Sequence, residues 1–254
     1  MTLEDHEAVD VVGSVAPCDV MFVCEHASNH FPDEFGDLGL SDDAKISHVA
    51  WDPGALALTK ELASRFEATY VAGAVSRLLY DCNRPPEAES AIPTRSEIFD
   101  IPGNEGLDTA ARTARVEQIY KPFRAATEQT MEMVHPKALV TVHSFTPVFH
   151  GKPRAVEIGI LHDRDTRLAD AMLTAMKGAE FNVQRNEPYG PEHGVTHSLK
   201  TYALPSKTPN VMLEVRNDLL REPEAIAKMA DTIADALRAG LASLAAENAQ
   251  RGAQ

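Results

Sequence analysis

Residues 20–32 read VMFVCEHASNHFP, and the way this stretch ends decides how the chain folds. An apolar run closes on Glu25 and His26, followed by Ala27, Ser28 and Asn29. With its flanks, CDVMFVCE (18–25) reads as a strand buried on both faces, bounded by Pro17 before and polar residues after. One polar strand end says little. The same signature recurs, however, at 69–76 (TYVAGAVS), 137–143 (KALVTVH) and 210–218 (NVMLEVRND).

Between these strands the pattern turns helical. Asp52-Pro53 reads as a cap and first helical position ahead of an apolar stripe through Leu56, Leu62 and Phe66. Residues 109–134 predict a long amphipathic helix bent at Pro122, 165–177 another, and 222–246 a C-terminal one. Residues 156–163 (VEIGILHD) predict a further strand, and 181–189 (FNVQRNEPY) an extended edge segment. The stretch 85–108 carries Pro85, Pro86, Pro93 and Pro102 with two glycines, so it reads as a loop. Strands alternating with helices define an α/β fold. It is a single three-layer domain over 1–254 with a mixed, mostly parallel sheet flanked by helices, and the ends, 1–16 and 247–254, are expected to fray.

The chain has 254 residues, 44% of them hydrophobic, enough for a sizeable core. Its 38 acidic against 24 basic residues give a formal charge of -14, which argues against nucleic acid or an anionic membrane as partner. Three cysteines without CxxC spacing fit neither a disulfide framework nor a cysteine zinc site. No apolar run is long enough to span a membrane, and a cytoplasmic location is expected.

In a parallel sheet the strands' C-terminal ends share one edge, where ligands bind. Here that edge would collect Glu25-His26, then Ser76, Arg77, Asp81, Asn83 and Arg84, then His143-Ser144, and finally Glu214, Arg216 and Asp218. Each has a plain explanation alone. Asp52 caps a helix, Glu214 pairs with Arg216 on the same strand face, and Arg84 pairs with Asp81. Together they offer imidazoles and carboxylates for a divalent metal, a carboxylate in an apolar strand for general-base work, and arginines for an acidic ligand. Glu25 would face away from His26 if the strand ran through both. His48, His193 and His197 lie at four-residue spacings that a helix could use for a metal, but Gly194 and Val195-Thr196 favour a loop near the substrate.

Five stretches in order, CEHASNHFP, HVAWDPGA, SRLLYDCNRPP, VTVHSF and MLEVRNDL, resemble the N-formylglutamate amidohydrolase family, over Cys24 to Leu219. That family is similar in fold to zinc carboxypeptidases and aspartoacylase-type deacylases, so the resemblance implies a zinc-carboxypeptidase/phosphorylase-like architecture. It implies a Zn²⁺-dependent release of formate from an N-formyl acidic amino acid. It further implies His26 and His143 as metal ligands, Glu214 as catalytic glutamate, and Asn83 with Arg84 holding a substrate carboxylate. Arg77 would stabilise the oxyanion, and Ser144 and Arg216 would line the substrate site. The carboxypeptidase-type relatives begin their ligand set with His-x-x-Glu, whereas position 29 here is Asn. An amide is a poor zinc ligand, so the third ligand lies among Asp52, Glu25 and Asn29, with Asp52 preferred. The alternatives are a deacylase for a larger N-acyl or N-succinyl amino acid, and a non-catalytic binder of acidic ligands.

Overall fold

The computed structural model describes residues 7–252. In chain order its strands are β1 (Val9–Val12), β2 (Val20–Cys24), β3 (Tyr70–Gly73), β4 (Arg95–Ser96), β5 (Phe99–Asp100), β6 (Ala138–Phe145), β7 (Val148–Phe149), β8 (Lys152–Pro153), β9 (Ile158–Leu161), β10 (Val183–Arg185) and β11 (Asn210–Arg216). The helices are α1 (Asp42–Ile46), α2 (Ala55–Phe66), α3 (Thr109–Arg115), α4 (Lys121–Val134), α5 (Arg167–Ala175) and α6 (Pro223–Gly252).

Seven strands form the main sheet in the order β1-β3-β2-β6-β11-β9-β10. The central four, β3, β2, β6 and β11, are mutually parallel, so their C-terminal ends meet along one edge. Strand β1 runs antiparallel to β3, and β9 antiparallel to β11. Alternation along each central strand fills two cores. Phe22, Val140 and Leu213 pack under α2, α5 and α6, whereas Met21, Val23 and Leu139 face Tyr120 and Phe123. The fold is α/β with helices on both faces of a mixed sheet. No helix among the described residues is long and apolar enough to cross a membrane.

Several expectations change. Val9–Val12 does not fray; it pairs in register with Tyr70–Gly73, because Ala8 and Val9 are apolar enough to join the second core. At the other end α6 continues to Gly252. The helix over 109–134 is interrupted by a π turn at Val116–Tyr120, two residues before Pro122, whose missing N–H cannot bond the carbonyl one turn back. The 85–108 stretch is a loop carrying the small β4–β5 hairpin, pinned to the second core by Ala91, Ile92 and Ile101.

Two local breaks position the site. Strand β2 stops at Cys24, and Glu25 and His26 form a turn, so the alternation that would have separated them does not apply. Gly73 makes that turn possible, since a Cβ there would overlap the Glu25 carbonyl oxygen. Helix α2 starts at Ala55 with Gly54 in the left-handed region (φ 83°) as its cap residue. Asp52 therefore caps nothing with its side chain. Its backbone N–H donates to the His26 carbonyl at 2.9 Å, which sets it beside that turn.

Candidate active site

Among the described residues four carboxylates are buried, Glu25, Asp52, Asp81 and Glu214, along with two histidines, His26 and His143. All six come together at the C-terminal edge of the parallel strands. Burying a charge without compensation costs several kcal/mol, so this concentration demands a reason.

His26 Nδ1, His143 Nδ1 and Asp52 Oδ2 form a tight triangle. The imidazole nitrogens are 3.2 Å apart, and the carboxylate oxygen lies 3.2 Å from His26 and 3.0 Å from His143. Ligand atoms on a tetrahedral zinc, with bonds of about 2.0–2.1 Å, would sit roughly 3.3 Å apart. The donor set, two imidazoles and one carboxylate with room left for a further ligand, is also that of a catalytic zinc. These three side chains could hold a divalent metal.

The remaining ring nitrogens face carboxylates. His26 Nε2 lies 2.7 Å from Asp81 Oδ1, and His143 Nε2 lies 3.1 Å from Glu25 Oε2, close but poorly aligned for a hydrogen bond. A carboxylate behind each imidazole fixes the ring and the tautomer that presents Nδ1 to a metal. Arg77 spans the other oxygens, donating to Asp52 Oδ1 at 3.2 Å and Asp81 Oδ2 at 2.8 Å. Burial opposes ionisation of Asp81, but His26 and then Arg77 outweigh it and hold the carboxyl well below its usual range. Glu25 and Asp52 are lowered in the same way, against burial, by the two histidines. Burial would lower His143, yet Glu25 and Asp52 reverse this and raise it well above the usual imidazole value. The cluster is built to hold positive charge.

Glu214 has the opposite environment. It is the register partner of His143 on the adjacent strand, on the same sheet face, and Oε2 has no hydrogen-bond partner. Burial pushes its pKa up to about 7, with His143 opposing and Asp52 adding to the rise. The pairing with Arg216 suggested by spacing does not form. Arg216 instead binds Asp218 at 2.8 Å and Glu157 at 3.4 Å, apart from the other predicted site residues.

A cavity of about 180 Å³ opens over these groups, lined among others by His26, Asp52, His143, Glu214, Arg77 and Arg84. Arg84 makes no ion pair among the described residues; its guanidinium donates to the Asn83 carbonyl at 2.8 Å, and the expected pairing with Asp81 is absent. Asn83 also lines the cavity, but its amide bridges another segment, donating to Val195 O at 2.6 Å and accepting from Ser198 N at 3.0 Å. Ser144 supports Asp52 through its N–H (3.3 Å) while its hydroxyl donates to Pro53 O (2.8 Å). Asn29 lies off the triangle, its amide donating to the Lys45 carbonyl at 2.9 Å. His48 stands on the cavity wall, 2.7 Å from Glu97 of the loop hairpin, and His197 meets the Tyr120 hydroxyl at 2.9 Å. His193 Nδ1 accepts from the Gly190 N–H at 2.9 Å and lies 3.5 Å from Glu192. Sequence spacing missed Asp81 as the His26 partner, Glu25 behind His143, and Tyr189 on the cavity wall.

Fold and site define an α/β protein with a metal-capable site at the C-terminal edge of its parallel strands. The model of the N-formylglutamate amidohydrolase family matches residues 18–221, and the chain belongs to that family, a group of hydrolases acting on amides. A gene product of Agrobacterium tumefaciens with a known crystal structure shares 51% identity, covering 94% of this chain and 96% of that one, with a TM-score of 0.91. An N-formylglutamate amidohydrolase from Ralstonia eutropha is similar in fold, at 17% identity and a TM-score of 0.63 over 97% of this chain and 99% of that one. No curated protein sequence matches the chain.

Proposed function

We propose that this amidohydrolase releases formate from an N-formyl acidic amino acid, with N-formyl-L-glutamate as the model substrate, and that it depends on Zn²⁺ or a similar divalent metal. One observation carries the reading: the buried carboxylates and histidines among the described residues gather at one strand edge beside the cavity, and Glu214 alone of those carboxylates forms no ion pair.

His26, His143 and Asp52 would hold the metal, with Asp81 and Glu25 orienting the two rings. A divalent ion there would acidify a water and polarise the scissile carbonyl. Glu214, poised near neutrality, takes the proton from the attacking water and returns it to the leaving amine. Arg77 keeps N–H groups beyond the two it commits to Asp52 and Asp81, and its charge favours the developing oxyanion. Arg84, free of any carboxylate, fixes the substrate's α-carboxylate and aligns the amide with Glu214. Asn83 contributes by holding the 195–198 segment in the wall. At about 180 Å³ the cavity falls below the usual 300–1,000 Å³ of ligand pockets, which favours a one-carbon acyl group over a succinyl one.

The test is formate release from N-formyl-L-glutamate by purified protein, with and without a chelator. Release that stops with chelator and returns with Zn²⁺ is the expected result. A folded, zinc-loaded protein that releases no formate would overturn the substrate assignment, and release indifferent to chelator would overturn the metal.

A further inference from the structure

Beside the cavity and its two lining guanidiniums, Arg77 and Arg84, stands a third that the proposed chemistry leaves unused. Arg154 follows the β7–β8 hairpin and is half-buried, yet it forms no ion pair among the described residues. Its charge instead sits over three aromatic rings, 4.4 Å from the centroid of Phe149, 5.0 Å from Tyr189 and 5.4 Å from Phe145. The backbone is fixed on both sides. Arg154 N donates to Pro147 O at 2.8 Å, and Arg216, anchored by Asp218, donates to Arg154 O at 3.1 Å. The arginine predicted from sequence to touch substrate thus holds another arginine in place.

Arg154 Nη2 donates to the Tyr189 hydroxyl oxygen at 3.0 Å, and Nη1 reaches Thr146 O at 3.4 Å. Tyr189, Phe145 and Thr146 all line the cavity. Because the guanidinium occupies the phenol oxygen as donor, the phenol's own hydrogen points elsewhere, and no acceptor among the described residues takes it. Burial, and then Glu214, raise the Tyr189 pKa, so that hydrogen is retained at neutral pH. In a chain with 38 acidic and 24 basic residues, a cation left without a carboxylate beside a ligand cavity is suited to an anion that arrives with the ligand. Arg84 is the other such cation, and Arg77 is already matched by Asp52 and Asp81.

We propose that Tyr189, backed by Arg154, forms a second anion site in this cavity, which takes the side-chain carboxylate of a dianionic N-formyl amino acid while Arg84 takes its α-carboxylate. This rests on the proposed deformylase reading and names what sets its acidic preference. A charge-assisted hydrogen bond contributes about 1.5–3 kcal/mol, or roughly 10–100-fold.

The experiment compares kcat/KM for N-formyl-L-glutamate and N-formyl-L-glutamine in the wild type, Arg154→Met and Tyr189→Phe. The expected result is a glutamate-to-glutamine ratio that falls roughly 10–100-fold in Arg154→Met, mainly through KM, and about 3–10-fold in Tyr189→Phe. A purely structural role would lower both substrates together, and an unchanged ratio in both variants overturns the proposal. If the wild type turns over neither substrate, the deformylase reading fails and calorimetry on the zinc-loaded protein decides the anion site. Glutarate binding at least tenfold tighter than butyrate, with that advantage lost in Arg154→Met, supports it; equal affinities for the two overturn it.

Discussion

The carboxylates on the β2–β3 side of the site and the one on β11 share a burial but not a surrounding. Asp52 and Asp81 face the His26 ring and the Arg77 guanidinium, and Glu25 faces His143, so all three stay ionised against the cost of burial. Glu214 is buried as well, yet it forms no ion pair among the described residues and its pKa rises to about 7. Residues of one chemical type thereby take two roles. Matched carboxylates hold and orient, and the unmatched one is left free to exchange a proton near neutral pH.

The contrast breaks most completely at Asp52. Replacing it by alanine removes a corner of the His26–Asp52–His143 triangle and one of the two carboxylates that hold Arg77, so bound zinc, measured by metal analysis after dialysis, is expected to be lost together with turnover. Retained stoichiometric zinc would show that Asp52 is no ligand. The carboxylates behind the rings are expected to act more gently. Asp81→Asn and Glu25→Gln should each weaken zinc affinity by roughly 10–100-fold in a chelator competition. An unchanged affinity in both would reduce them to structural pairs.

Glu214 carries a prediction of opposite sign. Its folded pKa of about 7 lies above the ordinary 4.5, so the unfolded chain gives up this proton first. Stability of the metal-free protein is therefore fully present below about pH 4.5 on this account, declines as pH rises towards 7, and is lowest beyond it. Glu214→Gln is expected to remove that decline and to stabilise the metal-free protein at pH 8 by up to about 3 kcal/mol in urea melts. A variant equally stable at pH 5 and less stable at pH 8 would mean that Glu214 has a partner there.

The sequence shows unequal amounts of this. Strand ends are legible because an apolar run must stop somewhere, and the residue after it in a parallel strand lands on one shared edge. His26, His143 and Glu214 were visible on that ground. Asp52 was ambiguous, since a carboxylate before a proline reads equally as a cap, and only the left-handed Gly54 releases it. Glu25 would face away from His26 only if the strand alternation ran through both, and it ends one residue earlier, at Cys24. The pairing of Arg216 with Glu214 followed the correct strand rule, but Asp218 and Glu157, the latter 59 residues away, take the guanidinium instead. Arg154 and Tyr189 left no signal at all, because a hairpin and a distant loop meet only once the sheet has formed.

The measurement that bears most directly on the division between matched and unmatched carboxylates is kcat of Glu214→Gln alongside its bound zinc. The expected outcome is a fall of roughly 10²–10⁴-fold in turnover with wild-type metal content. Turnover within a few-fold of wild type, or zinc lost in step with activity, would contradict a Glu214 that works as the base beside a metal it does not hold.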